Sequence, residues 1–294
     1  MRILVAGWHG QVAMALSTAA ARRADVSAYA VGRPALDLTD QPSIGRSLLS
    51  MAPDVIVNTA SYTDVEGAEI EPQLAFRRNT QSAAALARKA ASIGIPIIHL
   101  STVYVFDGNK PTAYTETDKP NPINAYGRSK LQSEAAIASV NPNHVILRTG
   151  WIHSPFGHNF VTSILERATT ESELLIDESQ RGSLTYAPHL ADAILDIAAH
   201  ITSDPKNARW GTYHIADQGT ASWCDLAQAV FHNSAKMGGP STTIAAAGPQ
   251  ITTNQAPRPL NATLDCAKLF DTWSITLPNW QDAVADCIGQ INSN

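Results

Sequence analysis

A chain of 294 residues, 44% of them apolar, has enough material for one large buried core or for two smaller ones sharing an interface. Its formal net charge of -5 lacks the cationic excess that binding to a phosphate backbone requires, and no Lys/Arg-rich run stands out, which argues against a nucleic-acid partner. The three cysteines, Cys224, Cys266 and Cys287, offer neither an even count nor a Cys-x-x-Cys spacing, so a reducing cytoplasm is expected, with no structural disulfide and no metal.

The opening apolar run, Ile3 to Ala6, is closed by Gly7 and is too short for a signal-peptide core. No segment approaches the roughly 18 uninterrupted apolar residues of a membrane span, so the protein is expected to be neither secreted nor embedded. In chain order the pattern predicts a strand over Arg2 to Ala6, a helix over Gly10 to Arg23, a strand over Val26 to Val31 and another over Asp54 to Asn58. A long alanine-rich helix over Gln73 to Ile93 precedes a strand over Ile95 to Leu100, and a helix beginning near Tyr126 and ending at Val140 precedes a strand over His144 to Arg148. Continuous β-branched runs without polar alternation mean burial on both faces, the mark of a parallel sheet wound with helices.

After Trp151 the periodicity weakens. A helix over Pro188 to His200, a short strand over Thr212 to Ala216 and a helix over Ser222 to Phe231 capped by Ser222 are predicted, and Met237 to Pro259 reads as loop. This tail is expected to form a smaller lobe over the strand ends, where open α/β sheets bind ligands.

Gly7-Trp8-His9-Gly10-Gln11-Val12-Ala13 follows the first strand and opens the first helix. Glycines there permit a tight turn and close backbone approach, and the free N–H groups of a helix start suit a dinucleotide diphosphate. Gly7, His9, Gly10, Gln11 and Val12 are therefore candidate cofactor residues. The second strand ends in Val31-Gly32-Arg33, with no carboxylate to hold a ribose 2'-hydroxyl; a cation suits a 2'-phosphate instead, although a solvated loop arginine would look the same. NADPH is expected, with NADH possible, and Asp37-Leu38 is placed against the adenine.

Tyr126-Gly127-Arg128-Ser129-Lys130 sets a phenol and an ammonium four residues apart at a helix start, on one face. A neighbouring cation is expected to lower the pKa of the phenol and make it a usable proton donor when a ketone is reduced. Upstream, the strand that ends in Ser101-Thr102 delivers hydroxyls to the same edge. Asn58, which a strand-end turn would also explain, and Asn79, which would pass as an exposed helix polar, complete the set.

In this order, the glycine loop, Asn58-Thr59-Ala60, Ser101-Thr102 and Tyr126 to Lys130 resemble the extended short-chain dehydrogenases. Ala60 to Glu66, Ser101 to Gly108, Arg148-Thr149-Gly150-Trp151, Gly157-His158-Asn159-Phe160 and Arg258-Pro259-Leu260-Asn261 narrow the likeness, nearly end to end, to the dTDP-4-dehydrorhamnose reductase family. The resemblance implies a Rossmann-type, doubly wound parallel α/β sheet with a smaller C-terminal substrate-binding lobe. Residues 1–150 would form the nucleotide-binding domain, with segments around 175–220 contributing, and 151–294 would be mainly the interleaved lobe.

It further implies NADP(H)-dependent reduction of the C4 ketone of dTDP-4-dehydro-rhamnose, a dTDP-4-dehydro-6-deoxysugar, giving dTDP-L-rhamnose. Thr102 would orient the carbonyl, Tyr126 would donate the proton and Lys130 would hold the nicotinamide ribose. Ala60, Ser61, Tyr62 and Asn79 would line the cofactor. Val65, Val103, Tyr104, Trp151, Asn159 and Arg258 would line the sugar nucleotide, although core packing would equally explain Trp151 and a surface position Arg258. Three departures stand out: Val103 where the family usually has Asp, Leu184 where it has Pro, and Ala15 where some members carry a glutamate of magnesium-bridged dimers. No metal is therefore carried over, and a monomer and a homodimer stay open, as do a 4-ketoreductase for another dTDP-deoxyhexose and a cofactor-binding regulatory subunit like that of methionine adenosyltransferase.

Overall fold

The computed structural model describes residues 1–248 and 256–293. Six strands, Arg2–Ala6, Ser27–Val31, Val55–Asn58, Ile97–Thr102, His144–Thr149 and Gly211–Ile215, make one parallel sheet. Across it the order is second, first, third, fourth, fifth, sixth. The chain leaves the first strand toward one edge and comes back on its other side, so the winding reverses between the first and third strands, where Ala6 pairs with Asn58. A crevice opens at the carboxyl ends of the strands at such a reversal.

Ile3, Leu4 and Val5, with Val55, Ile56 and Val57 beside them, are fully buried because helices cover both faces. On one face the helices Gln11–Ala21 and Ala187–Ser203 pack together, and the small side chains of Ala15, Ala19 and Ala20 let them approach closely. On the other face Ile44 and Leu48 of Gln41–Met51, Leu86 of Ser82–Ser92 and Ile137 of Ala125–Val140 form a separate apolar layer. A third cluster lies outside the sheet. Phe106, Tyr114 and Trp151 pack in it with Val230 and Phe231 of the helix Trp223–Lys236 and Val284 and Ile288 of Trp280–Asn292.

The structure departs from the sequence reading in several places. The predicted helix over Gln73 to Ile93 is three pieces: Pro72–Phe76, a π-turn over Arg77–Gln81, and Ser82–Ser92. Gly211–Ile215 is the edge strand of the main sheet, parallel to His144–Thr149, and Ala187–Ser203 packs against that sheet. Within the stretch read as loop, Thr243–Ala247 is a strand paired with Glu173–Asp177; residues 249–255 of that stretch lie outside the described residues. The helices Gln41–Met51, Phe160–Arg167, Ala267–Trp273 and Trp280–Asn292 went unpredicted. Among the described residues no helix is long and apolar enough to cross a membrane.

Candidate active site

The first strand ends at Ala6, and Gly7 turns the chain with φ +111°, a region that side chains avoid. A Cβ there would also lie 2.6 Å from Thr59 Oγ1, so the third strand's end closes directly on the loop. Gly10 is the N-cap of Gln11–Ala21 and offers no side-chain cap, and a Cβ on it would meet nothing within 4 Å. The first N–H groups of the helix have no side-chain cap, the arrangement that takes a diphosphate. His9, Gly10, Gln11 and Val12 line a cavity of about 420 Å³ beneath this end. Gln11 is fixed by Ser154, whose hydroxyl donates to Oε1 at 2.8 Å.

On the other side of the loop Gly7, Arg33, Asp37, Leu38, Ala60 and Ser61 line a second cavity of about 300 Å³. Arg33 Nε stands 3.7 Å from Asp37 Oδ2, both at the rim. The carboxylate of Asp37 accepts from the hydroxyl and N–H of Thr39, bonds that hold its pKa below the ordinary value. Trp8, Thr39, Arg78 and Ser82 share this wall, and none of them was singled out from the sequence. Arg78 lies over the Tyr62 ring, 5.5 Å from its centre.

Thr102, Val103, Tyr104, Tyr126, Lys130, Val65 and Trp151 come together in the larger cavity, with Thr63 and His158 as further lining. The Asn124 side chain caps the Ala125–Val140 helix by accepting from Gly127 N–H at 2.7 Å, which sets the turn that carries Tyr126 and Lys130. Gly127 is required there: a Cβ would lie 2.1 Å from the Tyr104 carbonyl oxygen. Thr102 Oγ1 accepts from Tyr104 N–H at 3.2 Å, and its hydroxyl shares the cavity wall with the Tyr126 phenol.

The expected lowering of the phenol is reversed. Burial pushes Tyr126 up to about 12, against the opposing effect of the Thr102 hydroxyl. Burial also brings Lys130 down to about 8, with Glu134 opposing, and its Nζ donates to Leu100 O at 2.6 Å rather than toward the phenol. Tyr126 is therefore protonated at neutral pH, the state a proton donor needs.

Two candidate residues serve the framework. Asn79, 1% exposed, is no surface polar: its Oδ1 accepts from Tyr62 N–H at 2.6 Å and Ser61 Oγ at 3.0 Å, and its Nδ2 donates to Tyr62 O and Ser129 Oγ. It is a strut between the loop carrying Ala60, Ser61 and Tyr62 and the helix carrying Tyr126. Asn159 caps the helix Phe160–Arg167 and donates to Ser154 O at 2.9 Å, buried behind the cavity wall. Trp151 is a partial surprise, since its ring both lines the cavity and stacks on Trp223 with centres 3.7 Å apart. Arg258 is no free surface arginine: Nη2 donates to Glu66 Oε1 at 2.7 Å, and the guanidinium lies 5.9 Å from the centre of the Tyr104 ring. Its Nη1 is buried with no partner among the described residues.

The departures from the family pattern have definite places. Val103 is buried in the short turn Val103–Val105 and puts an apolar face on the cavity wall. Leu184 is buried in a strand beside Trp151, and Ala15 lies in the seam between two helices.

Residues 1–293 match the family model described as RmlD substrate binding domain. A dTDP-4-dehydrorhamnose reductase of Sinorhizobium fredii is 42% identical over 96% of this chain and 95% of its own length. A dTDP-4-dehydrorhamnose reductase of Clostridium acetobutylicum superposes with a TM-score of 0.89 at 29% identity, covering 99% of this chain and 100% of that one. Another, from Bacillus anthracis and solved in complex with NADP, also gives 0.89, at 26% identity over 98% and 99%. A match across nearly the whole length, at this identity and on a shared Rossmann-type sheet, places the chain in the dTDP-4-dehydrorhamnose reductase family of NAD(P)H-dependent oxidoreductases.

Proposed function

We propose that the protein reduces the C4 ketone of dTDP-4-dehydrorhamnose to dTDP-L-rhamnose with NADPH. The observation that carries this reading is the convergence of Thr102, Tyr126 and Lys130 on one cavity, next to an uncapped helix start and beside Arg33 at the second strand's end. When bound, the cofactor supplies the hydride. The helix start at Gly10 and Gln11 takes its diphosphate, Arg33 its 2'-phosphate, and Asp37 and Leu38 border its adenine. Lys130 holds the nicotinamide ribose, and the Ala60 to Tyr62 loop, braced by Asn79, walls its other side.

The Thr102 hydroxyl orients the ketone oxygen, and Tyr126 gives that oxygen a proton as negative charge develops on it. Val65, Val103, Tyr104 and Trp151 enclose the sugar, and Arg258 meets the diphosphate of the sugar nucleotide. The test is NADPH oxidation by purified protein given dTDP-4-keto-6-deoxyglucose together with a 3,5-epimerase. Turnover is expected, and Tyr126→Phe lowers kcat by about 100-fold or more at unchanged NADPH affinity. Absence of turnover with bound NADPH would favour a regulatory, cofactor-binding role instead.

Val103 favours one second reading. An apolar side chain in the cavity wall suits a less hydroxylated sugar, so another dTDP-4-keto-deoxyhexose is the competing substrate; kcat/KM ratios for purified sugar nucleotides decide between them.

A further inference from the structure

Behind Lys130 runs a line of buried polar groups that none of the roles above uses. Asn58, His99, Ser133 and Lys130 are each at most 2% exposed. Ala60 N–H donates to Asn58 Oδ1 at 3.2 Å, which fixes the orientation of the amide and turns its Nδ2 toward His99 Nδ1, 3.1 Å away. Because Nδ1 accepts, the imidazole proton sits on Nε2, 3.0 Å from Ser133 Oγ. The Ser133 hydroxyl is then free to donate to the carbonyl of Lys130, at 2.6 Å. From Ala60 N–H to the Lys130 carbonyl each donor thus meets an acceptor, whereas the Nε2 proton and the Lys130 ammonium are both donors and make no bond to each other.

The same imidazole flanks the ammonium. Lys130 Nζ is 3.4 Å from His99 Nε2 and donates to Leu100 O, on the residue after His99. A carboxylate at position 99 would draw the ammonium back from the cavity, and an imidazolium would repel it. Burial and Lys130 both keep His99 neutral. An apolar side chain would leave Asn58 Nδ2 and Ser133 Oγ short of a partner in a dry interior.

We infer that His99 is a positioning residue: through Ser133 it fixes the helical turn of Lys130, through its ring it bounds the ammonium, and through Asn58 it ties both to the Ala60 to Tyr62 loop. The inference rests on the reductase reading, since it is Lys130's task in that reaction that needs a fixed height. A misplacement of about 1 Å at such a group costs about 100-fold in rate.

The experiment measures kcat, KM and NADPH Kd for the full-length wild type and for His99→Leu, His99→Gln and Ser133→Ala. His99→Leu is expected to lower kcat about 30–100-fold and to raise NADPH Kd by less than about tenfold, since Lys130 also holds the ribose, and Ser133→Ala is expected to lower kcat about 5–10-fold. His99→Gln, whose amide reaches toward Ser133 Oγ, recovers most of the loss, which a purely structural role would not predict. Should His99→Leu fail to fold, Ser133→Ala decides, and unchanged kcat in that variant overturns the inference. Wild-type kcat in a folded His99→Leu overturns it too, as does a loss confined to NADPH affinity. An inactive wild type brings down the reductase reading and the positioning role with it, whereas an active wild type with an equally active His99→Leu brings down the positioning role alone.

Discussion

The charge on Lys130 is maintained in a place that disfavours charge. The side chain is 2% exposed, and burial lowers its pKa to about 8, so the ammonium is lost as pH rises through about 8. The Tyr126 phenol, at about 12, stays protonated throughout that range. If turnover needs both the ammonium and the phenolic proton, kcat holds level below the Lys130 transition and falls above it with a one-proton slope. A pH–rate profile at saturating NADPH and substrate checks this, and a kcat that still climbs between pH 8 and about 9.5 would mean Lys130 acts uncharged. At this scale the sequence was informative about identity and silent about environment. The four-residue spacing brought Tyr126 and Lys130 together, but burial, which reversed the expected shift of the phenol, involves distant segments, among them Tyr104, edge-on at 6.1 Å, and the cluster of Ala68 and Ala75. His99 gave no sign, because a lone histidine in a strand looks the same whether or not a lysine stands behind it.

At the scale of elements, the π-turn over Arg77–Gln81 is the feature that decides the cofactor side of the crevice. Asn79 sits inside that turn and is buried there, and such turns favour functional positions. With it, Asn79 reaches four partners on two elements. Asn79→Ala leaves Tyr62 N–H without a buried partner and Ser129 Oγ with only its bond to Tyr126 O, at a cost of about 2–3 kcal/mol. The expected outcome is a melting temperature lower by about 5 °C and a NADPH Kd raised about tenfold, while Asn79→Asp, which keeps both acceptor bonds, loses less. Calorimetry and fluorescence titration read the two effects, and an unchanged NADPH Kd in Asn79→Ala would detach the loop from the cofactor.

Elements with strong local signals were legible: the buried strands through their β-branched runs, and the helix after Ser222 through its cap, which proves to be a capping box with Asp225. Gln41–Met51 was hidden because its stop-and-start chemistry, Asp40 as cap and Pro42 in the first turn, stands before a stretch with few apolar residues. Thr243–Ala247 had no readable signal, since its partner Glu173–Asp177 lies some 70 residues earlier in the chain and strand pairing at that distance leaves no local pattern.

At the scale of the molecule, the question is how the lobe and the sheet share one crevice. The segment after residue 255 crosses between them. Glu66, on the short helix Val65–Ile70 beside the cofactor loop, accepts from Arg258 Nη2 at 2.7 Å and from Ala256 N–H at 2.6 Å. Asn124, the cap of the Tyr126 helix, donates to Pro257 O at 2.9 Å, and Gly108 is packed so closely against Pro259 and Leu260 that a Cβ would clash at 2.6 Å. Arg258 is thus held over Tyr104, whose side chain lines the larger cavity, by contacts from three separate parts of the chain, with Nη1 unpartnered among the described residues. The pair itself adds little stability, since Glu66 is 41% exposed and solvent screens it. Its value lies in holding a fork of donors where a diphosphate arrives. Arg258→Met is therefore expected to raise KM for the sugar nucleotide about 10–100-fold, the range of a charge-assisted hydrogen bond, with kcat and NADPH Kd nearly unchanged because ground state and transition state lose the contact equally. Steady-state kinetics at saturating NADPH read this directly. A loss in kcat at unchanged KM would place Arg258 in the chemistry of the reacting ketone rather than on the diphosphate.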